Sequence, residues 1–191
     1  MFKGSVLGGS LCDYLYTNVD FSSPGFQKYK SRKQGDGGLL PGQLVFAEEL
    51  EYFAGNTRFS NIAHEILGSS QPDAWNVGGP AIVAGINIAQ LLENDDFQVN
   101  FYGAMGNDEI GQNILSIVEQ TPINIDNYVT VKGVTPFTYV LSDPNHHDGK
   151  GERTFINNIG AAWFYTPEMI NDEFYEANVI LAGATALVPE L

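Results

Sequence analysis

A chain of 191 residues with 43% hydrophobic and 12% aromatic content has enough apolar material for a packed domain, which excludes disorder as its default state. Nine basic against 23 acidic residues leave a formal charge of −14, which repels a nucleic-acid backbone or an anionic membrane at long range while leaving small ligands free to bind backbone N–H groups at contact distance. With Cys12 as the single cysteine there is no intrachain disulfide, no apolar run approaches the ~18 residues of a membrane span, and the apolar stretch after Phe2 is too short and Gly-rich for a secretory leader, so the expected location is cytoplasmic.

From the N-terminus, residues 2–16 read as a buried strand that turns near Gly8-Gly9 and continues through Leu11 to Tyr16, placing Asp13 near a strand end. Residues 17–75 are dominated by turn chemistry, such as Ser22-Ser23-Pro24-Gly25 and Gly35-Asp36-Gly37-Gly38, broken by the apolar run Gln43 to Phe46, and are expected to loop away from the core. Ile82 to Leu92 is apolar on every side, which predicts a helix buried all round. It follows Gly78-Gly79-Pro80, a sequence suited to a helix start whose unpaired N–H groups face a ligand. Phe97 to Tyr102 alternates as a strand, Asp108 to Gln120 as an amphipathic helix, and Asn178 to Gly183 is a further apolar strand. This alternation predicts a parallel three-layer α/β sheet. Tyr128 to Val131, Phe137 to Leu141 and Thr154 to Ile156 are expected to form short antiparallel strands of a separate small sheet.

Several chemistry-bearing groups have plainer readings. Lys28, Lys30, Arg32 and Lys33 form a basic cluster whose composition fits a solvated loop face better than a phosphate site. His146-His147-Asp148 has metal-ligand residue types, but adjacent histidines in a turn are expected to diverge, so no metal site is assigned. Cys12, in an apolar strand, reads as a buried inert thiol. The Gly103 to Gly106 loop lacks the Gly-x-Gly-x-x-Gly spacing of a dinucleotide site, which leaves a nicotinamide oxidoreductase with little support, and no Gly-x-x-x-x-Gly-Lys-Ser/Thr is present. Asp13 is the stronger candidate. A carboxylate at the end of a strand in a parallel sheet can accept two charge-assisted hydrogen bonds from sugar hydroxyls, although an aspartate that only caps a turn has the same local sequence.

Taken together, Gly8 to Asp13 (Gly-x-x-x-x-Asp), Gly78-Gly79, Gly103 to Gly111 with Asp108, and Gly151-Glu152-Arg153-Thr154 followed by Gly160-Ala161-Ala162 resemble, in order and spacing, the first half of the ribokinase-like (PfkB-type) carbohydrate kinase family. The resemblance implies a Rossmann-like α/β core with a small β-sheet lid: residues 1–16, 76–127 and 159–191 for the core, and 17–75 with 128–158 for the lid and an inserted loop. It implies ATP and Mg2+ as cofactors, a small sugar as acceptor, and a possible homodimer through the lid. Carried over by position, Asp13 is a ligand of sugar hydroxyls, Gly78 and Gly79 present backbone N–H groups to the same substrate, Asp108 shapes its turn, and Gly160-Ala161-Ala162 lie near the rim of the sugar site. Val83 stands where many relatives carry an asparagine, and Leu11 where ribokinase carries another, which puts ribose in doubt. The family's Asp-Thr-x-Gly-Ala-Gly-Asp segment, with its anion hole and catalytic base, is not found before Leu191. The expectation is therefore a substrate-binding half, incomplete at the C-terminus and inactive by itself. Two alternatives stand beside a sugar kinase: a nucleoside kinase of the same family, with Phe137 or Tyr139 forming a base slot, and a non-catalytic sugar-binding module.

Overall fold

The computed structural model describes residues 2–191; Met1 lies outside them. Two compact units are present, each assembled from separate stretches of chain: residues 2–12, 77–136 and 159–191 in the first, and 13–76 with 137–158 in the second.

The elements run β1 (Phe2–Gly8), β2 (Leu11–Tyr16), α1 (Pro24–Lys28), β3 (Leu44–Phe46), α2 (Ala47–Phe53), α3 (Phe59–Leu67), β4 (Ala74–Gly78), α4 (Pro80–Leu91), β5 (Phe97–Met105), α5 (Glu109–Val118), β6 (Asn124–Thr130), β7 (Phe137–Asp143), β8 (Glu152–Asn158) and β9 (Val179–Gly183). The first unit is built on a sheet of order β6-β5-β1-β9. Each of its pairings is parallel: β1 runs beside β5 from Phe2↔Phe97 to Leu7↔Tyr102 and beside β9 from Gly4↔Val179 to Gly8↔Gly183, and β6 follows β5. This is the α/β architecture that alternating strands and helices predict. Val6, Val99, Phe101, Ile82, Ile114 and Val118 are buried in its core.

Three expectations change. Of residues 128–131, Tyr128 to Thr130 belong to β6, a parallel neighbour of β5 in the first sheet, and not to a small antiparallel sheet. The cause is packing: the buried Tyr128 ring meets Phe101 edge-on with centroids 5.4 Å apart, and its hydroxyl shares a 2.6 Å hydrogen bond with Ser10. Helix α4 is not buried all round. Ala81, Ile82, Gly85 and Ala89 face inward on one stripe, whereas Val83 is 38% and Leu91 82% exposed. Uniform hydrophobicity erased the amphipathic signal that would have oriented it. Residues 17–75, expected as loop, contain α1, α2 and α3. Turn residues punctuate this stretch, but Phe59, Ile62, Ala63, Ile66 and Leu67 repeat with helical spacing inside it.

The second unit has its own core, in which Phe21, Phe26, Leu39, Leu50, Ile62 and Ile156 are buried together. Its sheet has the order β3-β8-β7-β2-β4. Strand β7 pairs antiparallel with β8 throughout, from Phe137↔Asn158 to Asp143↔Glu152, as the sequence predicts for this hairpin, and β3 adds in parallel to β8.

Glycines at the ends of the central strands allow a crowded main-chain junction in the first unit. A Cβ on Gly8 would overlap the Gly183 carbonyl oxygen and lie 2.6 Å from the Ala81 Cβ, at φ 154°. One on Gly103 would lie 2.9 Å from the Gly8 carbonyl oxygen. Replacing Gly8 by alanine therefore combines steric overlap with an unfavourable backbone conformation, and the expected cost is about 3 kcal/mol, read as a lower urea midpoint at unchanged slope.

Candidate functional site

Asp13 sits on β2, half buried. Burial pushes its carboxyl above the ordinary aspartate value of 3.8, and the Thr138 hydroxyl pulls it part of the way back. Side chains alternate along a strand, so the two faces of the second unit's sheet can be read off its partners. Tyr16, Leu141 and Ile156 belong to the apolar core, and Tyr14 and Tyr139 pack against it. Asp13, Thr138 and Asn157 fall on the opposite face, where Asn157 is the register partner of Thr138. There the Asn157 side-chain N–H donates to Thr138 Oγ1 at 2.8 Å. Thr138 and Asn157 were not singled out from sequence, although each lies one residue from a strongly apolar strand position, which is the signal that could have marked them.

Gly78 is the last residue of β4 and is buried. Gly79 precedes Pro80 as the N-cap of α4 at φ 103°, a region that favours glycine. A Cβ there would overlap the Gly9 carbonyl oxygen and lie 3.1 Å from the Ser10 Cα. Gly79 thus holds the start of α4 against the Gly9-Ser10 link, three residues in sequence before Asp13. The first-turn amides of the helix have no intrahelical acceptors.

Other marked residues are spent on structure. Asp108 caps α5 by accepting from the Gly111 N–H at 2.9 Å, and also accepts from the Thr135 N–H at 2.7 Å and hydroxyl at 2.6 Å. Its carboxyl lies below the usual value despite burial, because these bonds favour the ionised form. Ala161 and Ala162 are buried in a 3-10 turn, where the Ala161 N–H donates to the Val134 carbonyl at 2.6 Å. The Thr154 hydroxyl ties β8 to the Leu40 and Gln43 carbonyls. In the basic cluster Lys28 pairs with Glu65 and Arg32 lies over the Phe53 ring. The His146 and His147 rings do not diverge as expected; they meet edge-on at 4.3 Å, with His147 and Asp148 in left-handed backbone conformations. Among the described residues no group of three His, Cys, Asp or Glu could hold a metal. Cys12 is buried.

The expected aromatic base slot is also revised. Phe137 and Tyr139 pack with Phe59 and Tyr14, the Phe59–Tyr139 centroids being 5.1 Å apart and the Tyr14–Phe137 centroids 6.2 Å. Period-two alternation sends both rings away from the face that carries Asp13. A cavity of about 330 Å³ in the second unit, lined by Tyr16, Asn18, Ile66, Gln71 and Asp73 among others, includes none of the candidate residues. Its Asp73 carboxylate already accepts from the Thr17 N–H and hydroxyl at 2.7 Å each.

No family model matches the sequence, and no curated protein sequence matches it. Solved structures do match. The adenosine kinase of Anopheles gambiae aligns with TM-score 0.66 and 19% identity over 95% of this chain and 47% of that one. The adenosine kinase of Schistosoma mansoni in complex with 2-fluoroadenosine gives 0.66 and 19% over 95% and 46%, and the ribokinase of Giardia lamblia 0.60 and 15% over 95% and 44%. The fold is therefore ribokinase-like, the α/β fold of these nucleoside and sugar kinases, and the chain spans a little under half their length.

Asp13 has a raised pKa in the folded state, so the fold binds its proton more tightly than the unfolded chain does. Its favourable contribution is present below pH 3.8 and is lost as pH rises through the folded-state value; above that, the ionised buried carboxylate is a standing cost. Asp13→Asn is expected to raise Tm at pH 7 to 8, with the gain shrinking as the pH falls toward 3.8, which calorimetric melts across that range measure.

Proposed function

We propose that this chain is the acceptor-binding half of an ATP-dependent kinase that phosphorylates a hydroxyl of a small sugar. The observation that carries the reading is Asp13: a carboxylate kept half buried on the non-core face of its sheet, against burial that disfavours its charge, within a fold otherwise seen in sugar and nucleoside kinases. Sustaining that cost is reasonable where the charge has a ligand to hold.

In this reading Asp13 accepts hydrogen bonds from paired sugar hydroxyls, and Gly78 with Gly79 lets the backbone approach the substrate without side chains intervening. Asp13 orients the acceptor; it is not the base that removes the reacting proton. MgATP supplies the transferred phosphoryl group when bound. The described residues offer no carboxylate cluster for the metal, and the family's Asp-Thr-x-Gly-Ala-Gly-Asp segment is not in the sequence, so no transfer step is assigned to these residues. Cytoplasmic location and pairing of two copies through the second unit belong to the same proposal. No described helix is long and apolar enough to cross a membrane.

Adenosine kinases align with higher TM-scores than ribokinases, which supports a nucleoside acceptor as the second reading. The packing of Phe137 and Tyr139 against Phe59 and Tyr14 weighs against it, since it occupies the rings that a base would need. Calorimetry of the full-length protein with ribose, fructose and adenosine tests the choice. Saturable sugar binding that falls by about 10- to 100-fold in Asp13→Asn is the expected result, the range being that of a charge-assisted hydrogen bond. Binding of adenosine alone selects the second reading, and binding of neither sugar nor adenosine overturns both.

A further inference from the structure

The cavity of about 330 Å³ in the second unit is lined by two stretches of chain, within residues 16–23 and 66–73, and by none of the residues assigned to the acceptor. Its volume is that of a small-molecule site. The lining has two characters. Tyr16 and Val19 are buried, and Ile66 and Leu67 pack partly buried against the second unit's core, so the floor is apolar. Asp20 and Asp73, one from each stretch, are exposed at the mouth. Among the described residues no lysine, arginine or histidine lines the cavity. Both carboxylates are anchored. Asp73 Oδ2 accepts from the Thr17 N–H and hydroxyl at 2.7 Å each, bonds that also fasten the two stretches together, and Asp20 Oδ1 accepts from the Ser22 N–H at 2.7 Å and hydroxyl at 2.6 Å. In each aspartate the second oxygen is left for another donor. The Ser22 hydroxyl beside Asp20 and the Thr17 N–H beside Asp73 hold both carboxyls below the ordinary aspartate value, so both are ionised at neutral pH.

A concavity with one sign of charge over apolar walls raises the local concentration of the opposite ion. A metal ion is a poor match, because among the described residues no group of three His, Cys, Asp or Glu could hold one. An alkyl chain with an ammonium group at each end matches both characters of the lining: its methylenes cover the floor while each N–H donor group meets one carboxylate. We infer that this cavity is a binding site for a small aliphatic diamine, with Asp20 and Asp73 each holding one ammonium group and Val19, Ile66 and Leu67 contacting the chain between them. The site is separate from the acceptor reading of Asp13 and does not depend on it.

The test is calorimetry of the full-length protein with putrescine and cadaverine at low ionic strength, where exposed charges are least screened, with butylamine and the neutral diol of the same length as controls. At least one diamine should bind saturably at a single site, with butylamine weaker by about 3- to 10-fold and the diol not binding. Asp20→Asn and Asp73→Asn each keep an amide oxygen for the Ser22 and Thr17 donors, so the fold should hold, while each variant binds the diamine within about 2-fold of its affinity for butylamine. Glu93→Gln removes an exposed carboxylate of the first unit and should change diamine affinity by less than about 2-fold. Amide chemical shifts of the isotope-labelled wild type, which need no variant, should move within residues 16–23 and 66–73 as the diamine is added. Absence of saturable binding, equal affinity for butylamine and the diamines, a loss in Glu93→Gln as large as in the two aspartate variants, or shifts centred elsewhere overturns the assignment.

Discussion

The first unit depends on main-chain segments approaching more closely than any side chain allows. Gly8 ends β1 against Gly183 of β9 and Ala81 of α4, Gly103 of β5 lies against Gly8, and Gly79 lies against Gly9. Parallel strands buried on a common sheet need their ends and the following helix to converge, and convergence at van der Waals distance leaves no volume for a Cβ. The same junction leads through Gly9 and Ser10 into β2. A helix start and a strand exit are thereby fixed by backbone packing, which is stiffer than any arrangement of side chains.

The second unit works by alternation. One face of its sheet is apolar and aromatic, closed by α2 and α3 with Leu50 and Ile62 fully buried. The other face carries Asp13, Thr138 and Asn157 at positions one residue out of phase with the core. Because each side chain of β2, β7 and β8 must face one side or the other, the rings that build the core and the polar groups that build the candidate site cannot be exchanged without a register slip. The core face fixes the register, and the register places the polar face.

Much of this was legible in the sequence. Gly78-Gly79-Pro80 reads directly as a strand-to-helix turn because glycine and proline limit the backbone to few shapes, and the parallel pattern follows from strands alternating with helices. The antiparallel β7–β8 hairpin was legible from two β-branched and aromatic runs joined by turn residues. The helices of residues 17–75 were hidden because they are short and bounded by turn residues, so frequency of glycine outweighed the period of Phe59, Ile62 and Ile66. Strand β6 was misplaced because Tyr128 to Val131 has the same local composition as the strands of the second sheet; only the long-range contacts of Tyr128 with Phe101 and Ser10 decide its partner. Asp13 stood out as a charge in an apolar strand. Thr138 and Asn157 did not, since neutral polar residues within a strand carry no signal until register shows which face they share.

The pairing of β1 with β9 also constrains how the chain acquires its structure. Asn178 accepts from the Lys3 N–H through its side chain at 2.9 Å and returns its own N–H to the Lys3 carbonyl at 2.9 Å, across a separation of 175 residues. Closing so long a loop costs entropy before any strand contact repays it, and parallel pairings of this kind form slowly. During synthesis β1 emerges with one flank able to wait for β5 and the other for β9, while the second unit needs residues 137–158 before its own sheet can close. Folding of this chain is therefore governed by late arrivals: its first strand remains half-paired until nearly the last of these residues has left the ribosome, and the apolar edge it presents meanwhile is the segment most in need of protection from other chains.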